Sequence, residues 1–206
     1  MNIFDNLYNR YDTWFERHEN VYKSELNLLK HFSSGLKNGI EIGVGTGRFS
    51  SVIKTEYGID PSIEMLKIAK SRGINVILAR GENIPIRDEI FSYITIIVTL
   101  CFVDDPEQVI KESKRILNKK GHIFIGYIEK ESKYGKYYAS IESPFYKNAI
   151  FFSFSQIKEM LESLNFKIIN VSQTLFHGPG YEKLEPWSIG HDKGSFILIH
   201  ALMDDQ

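Results

Sequence analysis

A short apolar strand running into three alternating glycines and then a helix constrains this chain more than any other feature. Gly39 to Gly43 reads as the strand, Gly43, Gly45 and Gly47 as the loop, and Arg48 to Ile53 as the start of the helix. Glycine has no Cβ, so such a loop turns sharply and lets a ligand lie against bare backbone. Free N–H groups at a helix start favour polar or anionic partners. The segment is the opening βα unit expected of an open α/β sheet, whose ligands sit beyond the carboxyl ends of the strands.

The remaining pattern agrees. Tyr57 to Asp60, Asn75 to Ala79, Tyr93 to Leu100 and His122 to Ile128 read as strands alternating with helical segments. Ser62 is placed to cap a helix bearing Met65, Ile68 and Ala69. Asp105-Pro106 is an N-cap followed by proline at the first helical position. A later helix carries Ile157, Met160, Leu161 and Leu164, with Ser153 or Ser155 as its cap. Lys167 to Phe176 and Ser195 to Leu202 have no helix between them and are expected to pair antiparallel. Ahead of the sheet, Phe4, Leu7, Tyr8, Tyr11, Trp14 and Phe15 follow helical spacing, and a second helix carries Tyr22, Leu26 and Leu29. The expected fold is α/β: a doubly wound, seven-stranded, mostly parallel sheet with an antiparallel last strand. Residues 1–206 are read as a single domain, with 1–36 as a helical cap and 129–154 and 177–194 as insertions on the substrate side.

Composition narrows the function classes. With 25 basic and 26 acidic residues, the chain has no overall field to attract nucleic acid or an anionic membrane. One cysteine, Cys101, forbids an internal disulfide and fits a reducing compartment. The longest apolar run, Ile94 to Val103, is interrupted by Thr95 and Thr99 and is far shorter than the roughly 20 residues of a membrane helix. Asp5, Arg10 and Asp12 near the start do not suit a signal peptide. A cytoplasmic protein is expected, monomeric or homodimeric, with no nucleic-acid or membrane partner.

Details of the loop separate the candidate ligands. A dinucleotide fingerprint needs G-x-G-x-x-G, but its last position falls on Arg48 or Ser50 here. Glu41 stands just before the loop, where it suits an ammonium-bearing ligand better than a pyrophosphate. Asp60 ends the second strand, where a carboxylate can accept hydrogen bonds from both ribose hydroxyls. A nicotinamide-dependent oxidoreductase and a non-catalytic binding protein remain alternatives.

Glu41-Ile42-Gly43-Val44-Gly45-Thr46-Gly47 resembles the first motif of the class I S-adenosylmethionine (SAM)-dependent methyltransferases. Gly58-Ile59-Asp60-Pro61-Ser62 with Met65 and Leu66 resembles the second, and Gly81-Glu82-Asn83-Ile84-Pro85 the third. The strand ending in Thr99-Leu100 and the stretch Leu117 to Gly121 resemble the fourth and fifth. Phe4-Asp5 and Tyr11-Asp12-Thr13-Trp14-Phe15 are similar to the entry helix of the small-molecule, type 11-like branch. The resemblance implies a Rossmann-like methyltransferase fold with SAM as cofactor. It implies that Gly43, Gly45 and Gly47 pass the methionine moiety and ribose, that Glu41 faces the amino group, and that Asp60 holds the ribose. Pro61 and Met65 would flank the adenine, with Gly81 and Glu82 at its edge. Thr99 and Leu100 would floor the transfer site and Tyr11 would roof it. Many relatives carry an acidic residue where this chain has Arg80.

Methyl transfer from a sulfonium is a direct displacement, so orientation and proximity supply much of the acceleration. No residue is therefore named as catalytic, and no set of side chains is spaced for a metal. Two aromatic-rich segments are candidates for the acceptor pocket. One holds Tyr134, Tyr137, Tyr138, Phe145 and Tyr146; the other holds His177, Tyr181, Trp187 and His191. Trp14, Tyr134, Tyr138, Tyr146, His177 and Tyr181 are the acceptor candidates. Their aromatic character suits a small-molecule acceptor that is apolar, aromatic or cationic, such as a histamine-like amine. Cys101 reads as a small buried apolar side chain, and Asp104 and Asp105 as a helix N-terminus.

Overall fold

The computed structural model describes residues 3–204. The first two residues, within the stretch read as the opening helix, and the last two lie outside the described residues. Two helices come first, α1 (Ile3–Arg17) and α2 (Glu19–Ser33). There follow β1 (Gly39–Ile42), a one-turn α3 (Ser50–Ile53), β2 (Tyr57–Asp60), α4 (Ile63–Ser71), β3 (Asn75–Leu78), β4 (Phe91–Ile97), α5 (Pro106–Ile116) and β5 (Leu117–Ile128). The remaining elements are α6 (Lys133–Ser140), α7 (Phe154–Ser163), β6 (Phe166–Thr174), β7 (Ser188–Ile189) and β8 (Phe196–Met203).

One sheet contains all the strands in the order β3-β2-β1-β4-β5-β8-β6-β7. β1 to β5 run parallel, and β8 lies antiparallel between β5 and β6. Among the described residues the sheet has eight strands rather than seven, because the long loop after β6 contributes the two-residue β7, which pairs with Ser172 and Gln173. Strand order reverses at β1, which is flanked by β2 and β4. This is the switch point where open α/β sheets bind ligands.

Alternation along the central strands supplies two cores, because successive side chains point to opposite faces. Ile94 and Ile96 of β4 and Ile123 and Ile125 of β5 pack with Val109 and Ile110 of α5 and Ile157 and Leu161 of α7. Their neighbours Tyr93, Ile97, Phe124 and Ile128 pack with Phe15 of α1, Leu28 and Leu29 of α2 and Tyr134 and Tyr138 of α6. Local chemistry sets the helix starts. Ser62, Asp105 and Ser153 each accept a backbone N–H at their N-caps, and Ser153 completes a capping box with Gln156.

Some boundaries differ from expectation. β4 stops at Ile97 rather than Leu100, since Val98 takes a φ of 48° and the chain tightens into a 3₁₀ turn, Leu100–Phe102. A β-branched residue in the left-handed region is strained, and such strain gathers at functional edges. β5 starts at Leu117 instead of His122, with a register shift opposite Phe91 and Tyr93. Among the described residues, no helix is long and apolar enough to cross a membrane.

Candidate functional site

The loops after β1 and β2 are bonded to each other. Gly43 and Val44 donate their N–H groups to Ile59 O at 2.8 and 2.9 Å. Gly45 N–H reaches Asp60 Oδ2 at 2.9 Å, while Asp60 Oδ1 accepts from Ser62 N–H at 2.8 Å. The three loop glycines have φ of 73°, 51° and 79°. A Cβ on Gly43 would stand 2.2 Å from Thr99 Cγ2, and one on Gly47 would stand 2.4 Å from Ile74 Cδ1. Conformation and space therefore both demand glycine here.

Two carboxylates are buried around this loop. Glu41 is 1% exposed and accepts a short hydrogen bond from the Ser50 hydroxyl. Burial pushes it up to about 8, against the opposing pull of Ser50. Asp60 is 9% exposed, and burial pushes it up to about 6 despite the N–H groups of Ser62 and Gly45. Among the described residues, no cationic side chain pairs with either. A ligand carrying positive charge would relieve both, whereas an anionic pyrophosphate would be repelled. The donor set therefore fits SAM, which bears a sulfonium and an ammonium group.

Helix α1 crosses this edge of the sheet. The ring of Tyr11 lies 3.4 Å from where a Cβ on Gly45 would be. Burial, then the charges of Glu41 and Asp60, hold the Tyr11 hydroxyl well above its ordinary range, so it stays protonated. Asp12 fastens the helix: it accepts from Arg48 at 2.6 and 2.8 Å, from Arg72 at 2.8 and 2.9 Å and from Thr46 at 2.6 Å. Asp5 accepts from the Ser62 hydroxyl at 2.6 Å.

Other expected residues flank the loop. Pro61 is exposed and Met65 is buried. Gly81 sits against Ile42 and Val109. Glu82 accepts from Arg80 at 3.1 and 3.3 Å and from Asp104 N–H at 3.0 Å, so Arg80 is committed to an ion network with Glu82 and Asp104. Thr99 donates to Ile97 O at 3.0 Å and approaches Gly43 O at 3.3 Å. The Leu100 side chain points into the core and is 2% exposed.

Beside Tyr11 a cavity of about 410 Å³ opens. Trp14, Tyr134, Tyr138 and Tyr146 all line it. Tyr138 and Tyr146 stack at 4.5 Å. His177 and Tyr181 do not line it; their neighbours Pro179 and Gly180 do. His177 instead stacks on Tyr181 at 4.0 Å and pairs through Nδ1 with buried Glu185 at 2.8 Å. That pairing fastens the loop which carries Pro179 to the cavity rim.

Phe102, Val98 and Glu25 also line the cavity and were not anticipated. Glu25 lies on α2 and is 4% exposed. It follows Val21 and precedes Leu28 and Leu29 on the buried stripe of the helix, and a carboxylate on such a stripe was the available signal. Cys101 is half-buried rather than buried, and desolvation pushes its thiol up to about 12. Among the described residues, no cluster of three or more His, Cys, Asp or Glu could hold a metal.

Comparison with known proteins agrees with this geometry. Residues 40–125 match the model of the methyltransferase domain family. An uncharacterised protein of Methanocaldococcus jannaschii is 43% identical, with 98% of each chain covered. The crystal structure of a Thermotoga maritima SAM-dependent methyltransferase, described as a possible histamine N-methyltransferase, superposes with a TM-score of 0.94 at 39% identity. That match covers 98% of this chain and 99% of the other. A SAM-dependent methyltransferase from Archaeoglobus fulgidus shares the fold at a TM-score of 0.70 and 15% identity, over 93% and 99% of the two chains. The chain belongs to the class I SAM-dependent methyltransferases, enzymes that take SAM as their cofactor.

Proposed function

We propose that the methyl acceptor is a small molecule, with an amine the favoured class, and that it is seated in the cavity beside Tyr11. The observation that carries this reading is the cavity itself: about 410 Å³, walled by Trp14, Tyr134, Tyr138 and Tyr146, and bordered by Tyr11, whose ring packs on Gly45 of the glycine loop. Its volume falls in the range of small-molecule sites, roughly 300–1,000 Å³. The near-neutral charge supports a small acceptor over nucleic acid. The structural relative from Thermotoga maritima, described as a possible histamine N-methyltransferase, supports an amine.

In this reading the cofactor supplies an activated methyl group on its sulfonium. Gly43, Gly45 and Gly47 provide the backbone bed, Glu41 faces the amino group and Asp60 holds the ribose. Pro61, Met65, Gly81 and Glu82 border the adenine. Thr99 and the Leu100 backbone lie beneath the transfer point and Tyr11 covers it, excluding water. His177 and Tyr181 act indirectly, by shaping the rim loop. We assign residues 1–36 to a cap and 129–154 and 177–194 to the acceptor side of one domain, in a cytoplasmic monomer or homodimer. Calorimetry with SAM, S-adenosylhomocysteine and NAD tests the cofactor side, followed by an acceptor screen read as S-adenosylhomocysteine formation. Turnover of small amines, reduced when Tyr146 is replaced by alanine, supports the reading. Turnover only of nucleic acid or protein overturns it.

A further inference from the structure

Of the two acidic residues lining the cavity, Glu25 and Glu142, Glu25 is the buried one, and it lines the cavity from α2. Among the described residues its carboxylate has neither a hydrogen bond nor an ion pair. Arg10 and Arg17 line the same cavity, yet neither pairs with it; Arg10 instead lies over the Phe145 ring at 5.9 Å. The charge of Glu25 is felt by Tyr11, Tyr134, Tyr138 and Tyr146, which places it among the aromatic walls. A carboxylate desolvated in this way is costly unless a partner arrives. The tie between α2 and the rim loop does not use it: the next residue back, Ser24, accepts Glu185 N–H at 2.8 Å.

We propose that Glu25 is the acceptor-recognition residue of this enzyme, and that it selects acceptors carrying a protonated amine or similarly compact cation on an aromatic or apolar body. The ion-paired ammonium has no lone pair, so the methyl passes to a separate neutral nitrogen or oxygen of that body, whose own proton is released to solvent, while the sulfonium leaves as the neutral thioether of S-adenosylhomocysteine. The proposal rests on the cavity being the acceptor site. Rings of Trp14, Tyr138 and Tyr146 would face the body and the flanks of the cation, and the Glu25 carboxylate would complete the ion pair. A neutral phenol or quinone of the same shape would leave the carboxylate buried and unpaired. Sites that lose a polar partner in this way discriminate strongly.

The test uses tyramine and histamine beside their amine-free counterparts, 4-ethylphenol and 4-methylimidazole. Binding is measured by calorimetry with S-adenosylhomocysteine present, and turnover by S-adenosylhomocysteine release. Wild-type protein should bind and methylate amines in preference to the neutral compounds. Glu25→Gln keeps the shape, and should lower kcat/KM for amines by at least roughly 30-fold, chiefly through KM. Its affinity for SAM should not change, and Glu25→Asp should recover part of the loss. Equal amine turnover by Glu25→Gln overturns the proposal, as does selective binding of the neutral compounds by wild-type protein; the latter leaves the acceptor cavity standing. Binding of neither set overturns the cavity reading as well.

Discussion

The Asp12 carboxylate and the Arg72 guanidinium meet in two parallel hydrogen bonds, 2.9 and 2.8 Å long, that join α1 to the C-terminal cap of α4. Arg48 binds the same carboxylate from the glycine loop. One side chain thus holds the helix that carries Tyr11 and Trp14 over the site. Replacing Asp12 with alanine removes the shared carboxylate and leaves the Arg48 guanidinium to Glu16 and that of Arg72 to the Thr46 carbonyl. For a pair that is only partly exposed, the expected loss is about 2 kcal/mol. Amide exchange should quicken along α1, and the KM for SAM and acceptor should rise together. Unchanged protection in α1 would show that the clamp is dispensable.

The same clamp sets an acid limit. Burial pushes Asp12 up, but hydrogen bonds from Arg72, Arg48 and Thr46 outweigh it and hold the carboxyl well below its usual value of 3.8. A lowered folded-state value means the unfolded chain binds the proton first as pH falls. The stabilisation is therefore complete above about pH 4 to 5 and fades as the solution becomes more acidic. Denaturant melts at pH 6 and pH 3 should converge for wild type and Asp12→Ala; a constant gap would refute the assignment.

Asp60 both braces the loop through Gly45 and is assigned to the ribose. Hydrogen bonds to a charged group contribute about 1.5–3 kcal/mol, so Asp60→Ala should weaken SAM binding by roughly 10- to 100-fold. Calorimetry checks this. Affinity within a factor of about 2 of wild type would remove Asp60 from the cofactor site.

How much of this was legible in the sequence depends on the range of the forces involved. Ser62, Asp105 and Ser153 announce their helices because a cap is settled within four residues. The order of strands follows from their alternation with helices. Nothing local announces β7, whose Ser188 and Ile189 form a strand only because Gln173 and Ser172 lie opposite. Val98 looks like more of β4, and only the fold turns it to positive φ. His177 and Tyr181 have the right chemistry for a pocket, but left-handed Gly178 and Gly180 turn the loop so that Pro179 reaches the rim instead. Glu25 is legible only as an oddity on an apolar stripe until α6 is seen across the cavity from α2.

Cys101 offers a check on the packing beneath that cavity. Its thiol donates to Val98 O at 3.8 Å, and burial pushes its pKa up to about 12. The thiolate is the reactive form, so at pH 8 only about one molecule in 10⁴ would present it. Labelling by a disulfide reagent should be slow in the folded protein and fast in denaturant. Rapid labelling of folded protein would mean that this region opens readily.

Glu25 makes a distinct prediction for stability in alkali. Burial pushes its carboxyl from the usual 4.5 up to about 8. Between those values the folded chain keeps a proton that the unfolded chain has released. Stability must then decline as pH rises through this window, and level off above it. Glu41, raised in the same direction mainly by burial, adds a decline of its own. Glu25→Gln removes the first contribution and leaves the second. The variant should match wild type near pH 4.5 and exceed it by pH 9, by an amount on the order of a few kcal/mol. An amine seated against Glu25 would reverse the comparison, stabilising wild type more than the variant at high pH. Melting curves at the two pH values, with and without tyramine, check both halves. Parallel curves for the two proteins would mean that Glu25 is solvated and that the ion pair proposed for it does not form.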